Sequence, residues 1–153
     1  MKKVLLTIMF VIAAWALHAQ VLPVPAMLQK IQSNNTDSII SFFKKQGYMQ
    51  GQVRKAYSGN VYEFLPNNEK VLKAGIKITY SPTKTFSSLI LIFFYEELGN
   101  KQLAAFAKAG FKQVHTSKDH SYKSSKFPRI ELSYTSPTED KERRSVFLII
   151  YSY

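Results

Sequence analysis

The chain has 153 residues, a formal net charge of +11 and no cysteine. This length suits one domain. The lack of cysteine excludes disulfides and thiol catalysis, so burial of apolar side chains must stabilise the fold. The positive charge favours anionic partners such as lipid head groups, acidic polysaccharides or acidic proteins, although charge of this size also serves solubility alone.

The N-terminus has the pattern of a secretory signal peptide. Lys2 and Lys3 precede an apolar stretch at 4–17, and Ala19 suits the cleavage position. The stretch is shorter than the roughly 20 apolar residues of a membrane-spanning helix. We therefore predict that residues 1–19 are a signal peptide and that the protein is secreted or periplasmic. The mature part, a single α+β domain at 20–153, would have a charge of +9 and no transmembrane segment, and export disfavours nucleic acid as its partner.

Two helices are predicted at the start of the mature chain. After an extended, proline-containing lead-in at 21–25, apolar residues at helical spacing predict a helix over 26–32. A second helix is predicted over 37–46, with Asn35 or Thr36 as N-cap and Gly47 just after its end.

Strand patterns fill most of the remaining chain. In the first half, strands are predicted at 52–57, 61–65, 72–80 and 89–95. The second half begins with a predicted helix at 101–109. Gly99-Asn100 is typical of a turn, so the helix is expected to start after it with Asn100 as N-cap. The later predicted strands lie at 111–117, 120–125, 130–134 and 146–153.

The two halves share the same order of features. Phe43 and Gly47 match Phe106 and Gly110 at one constant offset, and each half has an alternating strand followed by Ser-Pro-Thr and an apolar strand. This order predicts two tandem helix-plus-strands (αβββ-like) repeats, at about 36–98 and about 99–153. Two similar hairpins without a common origin are the alternative.

These elements predict an α+β fold, a two-layer sandwich in which an antiparallel sheet has its helices on one face. The predicted topology is similar to the tandem helix-plus-sheet repeats of the β-lactamase inhibitor proteins. This similarity is architectural and implies no residue roles.

The strands at 89–95 and 146–153 are apolar on both sides, whereas a strand with one side in water alternates. The spare side must be covered by the N-terminal segment at 21–31, by a second copy in a homodimer, or by a binding partner. Tyrosines and a lysine are predicted to rim it as binding residues, namely Tyr57, Tyr62, Lys77, Tyr80 and Tyr134.

No motif for catalysis or cofactor binding is present. His115 and His120 are weak metal candidates, because a stable site usually has three or four protein ligands. Glu96 and Glu97 would point to opposite sides of a strand end, which does not suit a pair of catalytic carboxylates. The chain contains no Gly-x-Ser-x-Gly and no phosphate-binding glycine loop. We predict no cofactor.

We therefore predict an exported, small, non-enzymatic binding protein. It would use a basic, aromatic sheet face or the adjacent loops to bind a macromolecular partner, either a protein or an anionic envelope component. A carrier of an amphipathic anionic ligand is the first alternative, and a small envelope hydrolase is the second.

Overall fold

A computed structural model describes residues 21–56, 59–66, 74–80, 86–115 and 120–152. This part of the chain forms three helices and eight strands. The helices are α1 (Val24–Gln32), α2 (Thr36–Lys45) and α3 (Glu96–Lys108). The strands are β1 (Tyr48–Ala56), β2 (Gly59–Pro66), β3 (Ala74–Tyr80), β4 (Phe86–Phe93), β5 (Lys112–His115), β6 (His120–Lys123), β7 (Ile130–Thr135) and β8 (Ser145–Tyr151).

All eight strands belong to one antiparallel sheet with the order β1-β2-β3-β4-β8-β7-β6-β5. The two apolar strands β4 and β8 pair at its centre, with Leu91 opposite Phe147. The predicted α+β class and antiparallel sheet are confirmed. In the described residues each half contributes four strands, as the predicted strand ranges have it, although the label αβββ-like names only three.

The two N-terminal helices follow local capping rules. Asn35 is the N-cap of α2, and its side chain accepts a hydrogen bond of 2.9 Å from the Ser38 amide. Gly47 follows α2 with a φ of 84°, as predicted for a residue after a helix. Helix α1 begins at Val24, two residues before the predicted start, because proline is tolerated in the first turn of a helix.

Helix α3 differs most from its prediction. It begins at Glu96 rather than Lys101, so the expected turn at Gly99-Asn100 lies inside the helix. Gly99 contacts the start of β8 so closely that a Cβ atom there would overlap the Ser145 side chain. The glycine is therefore a close-packing position, and the two glutamates of the first turn suit the positive end of the helix dipole.

The core joins all three helices to one side of the sheet, which we call the core face. Alternate strand residues such as Phe64, Ile78, Leu91, Leu132 and Phe147 are fully buried there, in one cluster with apolar side chains of the helices. The side of the sheet opposite this cluster is called the outer face below. Among the described residues, none of the helices is long and apolar enough to cross a membrane.

Candidate interaction surface

The outer face has an apolar centre on the two middle strands. Its central side chains are only half-buried, or exposed in the case of Ile150 at 38%. None of them packs against the core cluster. These central residues are Ile90 and Ile92 of β4 and Val146, Leu148 and Ile150 of β8.

The apolar area extends towards the β1 edge of the sheet. Ile92 is opposite both Val146 and Gly75, and Met49 is paired with Leu65 in the neighbouring hairpin. Met49 and Leu65 are 44% and 46% exposed. The sequence pattern does not place these two residues on this face, because their side depends on a register that passes through a β-bulge in β1.

Charged residues of both signs flank this centre. On the β3 side, Lys77 is opposite Ile90, and Glu63 is opposite Lys77. On the β7 side, Glu131 is opposite Ile150, and Lys123 is opposite Glu131. Further out, Arg54 of β1 lies 3.7 Å from Glu63, and Lys112 of β5 is opposite Lys123. Each flank therefore has one carboxylate and two cationic groups, and the inner residue is Lys77 on one flank and Glu131 on the other.

The N-terminal segment does not cover the outer face. Leu22, Val24 and Ile31 belong to the core cluster, on the other side of the sheet. The backbone of Leu22 exchanges two hydrogen bonds with the buried side chain of Gln102 on α3, at 2.9 and 3.3 Å. One of the three predicted covers is therefore excluded, and a second copy or another partner remains.

The predicted rim residues are divided between the two faces. Lys77 is exposed and lies on the outer face. Tyr62 pairs with Ile78 and packs against the core cluster, and Tyr134 is 9% exposed with its ring 4.8 Å from that of Phe147. These two tyrosines therefore belong to the core face and do not rim the outer face. Tyr80 pairs with Asn60.

Of the predicted set, Tyr57 lies outside the described residues. The outer face is consequently less aromatic than expected, and its centre is aliphatic.

The histidine hairpin shows a hydrogen-bonded network. The register pairs His115 with His120 across β5 and β6. Gln113 Nε2 donates to Nδ1 of His120 over 3.0 Å, which leaves the His120 Nε2–H to donate to Glu139 over 3.0 Å. Hydrogen bonds from Ser136 and then from His120 lower the pKa of Glu139. Within the described ranges, no three His, Cys, Asp or Glu side chains are grouped to bind a metal ion.

The paired glutamates occupy the first turn of α3 and not a strand end. Glu97 accepts a hydrogen bond of 2.6 Å from Lys101, and this contact lowers the pKa of Glu97. A general acid at neutral pH needs a raised pKa, so the shift at Glu97 is opposite to the one that proton donation would require.

A groove of about 1070 Å³ runs between α3 and the lead-in to α1. Its lining is mainly apolar and includes Leu22, Leu98 and Ala105, while Lys101 and Lys108 stand along the same helix. Lys101 is paired with Glu97, and Lys108 is exposed. The groove was not located from the sequence, because its two walls are distant in the chain.

No family model, no curated protein and no solved structure shows a significant match to this chain. Its function has to be inferred from the surfaces themselves.

Proposed function

We propose that this is an exported, non-enzymatic interaction protein that binds another protein through the outer face of its sheet. The observation that supports the proposal is the apolar centre formed by the two middle strands, where alternation with polar residues would be expected for a face in water. Contiguous exposed apolar patches usually mark interaction sites.

The chemistry of the face favours a protein as the partner. Its centre has five aliphatic side chains and no charge, and the flanks contain both carboxylates and lysines. The flanks also carry four cationic side chains, namely Arg54, Lys77, Lys112 and Lys123. A polyanion would nevertheless meet Glu63 and Glu131 between them, and it would gain nothing from the aliphatic centre. An apolar centre within a polar rim is the usual anatomy of a protein–protein interface.

Affinity capture from the envelope fraction tests this proposal with the matched variants Ile150→Lys and Val53→Lys. Both add a lysine at an exposed apolar strand position, 38% and 46% exposed, but Val53 pairs with Tyr62 in the edge hairpin, away from the centre of the outer face. Ile150 is opposite Glu131, so the new lysine gains a cross-strand partner and the domain should remain folded.

We expect Ile150→Lys to weaken capture at least about tenfold, since a charge would be desolvated in the interface, whereas Val53→Lys should bind as the unchanged protein does. Equal capture by both variants, measured at low and at high salt, would contradict the proposal.

The groove favours a second candidate, a carrier of an amphipathic anion. Its apolar walls suit an acyl chain and Lys108 suits a carboxylate. Native mass spectrometry of protein purified from the envelope should then detect a bound amphiphile. Ala105→Trp should remove it by filling the groove, and Ala104→Trp, at the neighbouring exposed position, should retain it. Absence of any amphiphile from the unchanged protein would exclude this candidate.

We also propose that the domain is a duplicated two-layer unit. The sheet order supports this, because a helix followed by four consecutive strands occurs in both halves and the last strand of each half lies at the centre. A duplication of this kind makes β4 and β8 equivalent, which explains why both are apolar on two sides.

A further inference from the structure

We propose that the protein surface bound by the outer face is a second copy of this chain, in a dimer whose twofold axis runs parallel to the strands between β4 and β8. This inference rests on the proposed role of the outer face and names its partner. A homodimer interface uses the same patch on both copies, so the patch has to be complementary to itself after a rotation of 180°.

Only two arrangements of the axis stack two sheets face to face with their strands aligned. If the axis runs along the strands over the β4–β8 boundary, rotation reverses the strand order. In that case β4 faces β8 of the second copy, β3 faces β7 and β2 faces β6. If the axis runs across the strands, each strand faces its own counterpart.

The charges of the flanks distinguish these arrangements. With the axis along the strands, Lys77 of β3 lies against β7 of the second copy, two residues along the strand from Glu131. In the same way, Glu63 of β2 lies against β6 of the second copy, two residues along the strand from Lys123. Opposite charges therefore meet at β3–β7 and at β2–β6, and the twofold symmetry repeats each contact. The outermost strands bring two cations together, because β1 then faces β5 and Arg54, which is paired with Glu63, lies against Lys112.

With the axis across the strands, like charges meet instead. Lys77 would then be near Lys77 of the second copy, and Glu131 near Glu131. Juxtaposed like charges repel each other and weaken an interface. The charge pattern of this chain therefore favours the axis along the strands.

The area of the face is adequate for a stable dimer. Eight strands spaced by about 4.8 Å span about 34 Å, and strands of six residues are about 20 Å long, which gives roughly 700 Å². A stable interface buries about 800 Å² on each partner. Two such faces would pack about 10 Å apart with their strands inclined by about 30°, as aligned sheets do.

A charge exchange between Lys77 and Glu131 tests the arrangement by sedimentation equilibrium of residues 20–153. We expect the unchanged chain to dimerise. Lys77→Glu and Glu131→Lys should each raise the dimer Kd at least about tenfold, because each places like charges at two symmetric positions. The double variant should recover to within about threefold of the unchanged chain, because the reversed charges again attract.

Recovery cannot arise within one copy. β3 and β7 are separated by β4 and β8, so Lys77 and Glu131 of one chain are about 14 Å or more apart. This exceeds the Debye length of about 8 Å at physiological salt. Lys45→Glu changes an exposed residue of helix α2, away from the outer face. It makes the same change of net charge as Lys77→Glu and should leave the dimer Kd unchanged.

Two results would overturn the inference: a monomer up to about 100 µM, where even a micromolar dimer would dominate, or a double variant weaker than both single ones. A monomeric chain whose Ile150→Lys variant loses an envelope partner would contradict the dimer and leave the proposed function standing. A dimer insensitive to Ile150→Lys would contradict the inference, because the dimer interface would then lie elsewhere, and equal envelope capture of Ile150→Lys and Val53→Lys would in addition contradict the proposed function.

Discussion

Replacement of Phe147 by alanine is expected to lower the free energy of unfolding by about 4 kcal/mol, the usual cost of removing a fully buried phenylalanine. The Phe147 ring is completely inaccessible to solvent. It lies 5.7 Å from the ring of Phe93, 5.6 Å from that of Phe106 and 4.8 Å from that of Tyr134. The side chain therefore joins both central strands, β7 and helix α3 in one core.

Urea denaturation of the Phe147→Ala and Phe94→Ala variants measures this effect against a matched control. Phe94 follows β4 and is 38% exposed, so its removal should cost less than about 1 kcal/mol. A Phe147→Ala variant that loses no more stability than Phe94→Ala would show that the central pairing of β4 and β8 does not form the core described above.

The sheet centre could be predicted because two short aliphatic runs allow few other structures. The residues of β4 and β8 are too few for buried helices and too apolar on both sides for edge strands. The pattern predicts the spare outer side, and the structure pairs the two strands residue by residue from Ser88 to Phe93.

The face of each tyrosine was less predictable. Tyr134 has polar neighbours, whereas Tyr62 lies between Val61 and Glu63. An aromatic residue with a polar tip suits both a rim and a core. Tyr134 is buried because Phe147 of the adjacent strand lies beside it, and this contact depends on a register between segments about 13 residues apart. The sequence alone does not define that register.

At the start of α3, tertiary packing overrides the turn preference of the local sequence. Gly99 and Asn100 favour a turn when only neighbouring residues are considered. In the fold, the glycine allows the helix to approach Ser145, whose hydroxyl is buried without a hydrogen-bond partner in the described part of the chain. Such a contact between residues 46 positions apart depends on the tertiary fold and cannot be predicted from the neighbouring residues.

Thiol labelling of two adjacent positions on β8 should show a large difference in labelling rate between the two faces of the sheet. Because the chain has no cysteine, Leu148→Cys and Ile149→Cys each introduce one unique thiol. Leu148 is half-buried on the outer face, and Ile149 is fully buried on the core face. The Ile149→Cys thiol reacts only when the domain opens. In dilute solution it should therefore be modified at least about 100-fold more slowly than the Leu148→Cys thiol.

The reactivity of the Leu148→Cys thiol towards a water-soluble reagent is the most direct measurement of whether the central strands present an open apolar side. We expect rapid modification at high dilution and progressive protection as the protein concentration rises and the face becomes covered. If Leu148→Cys is as unreactive as Ile149→Cys even in the most dilute sample, the outer face is covered by the chain itself, and the interaction surface described above does not exist.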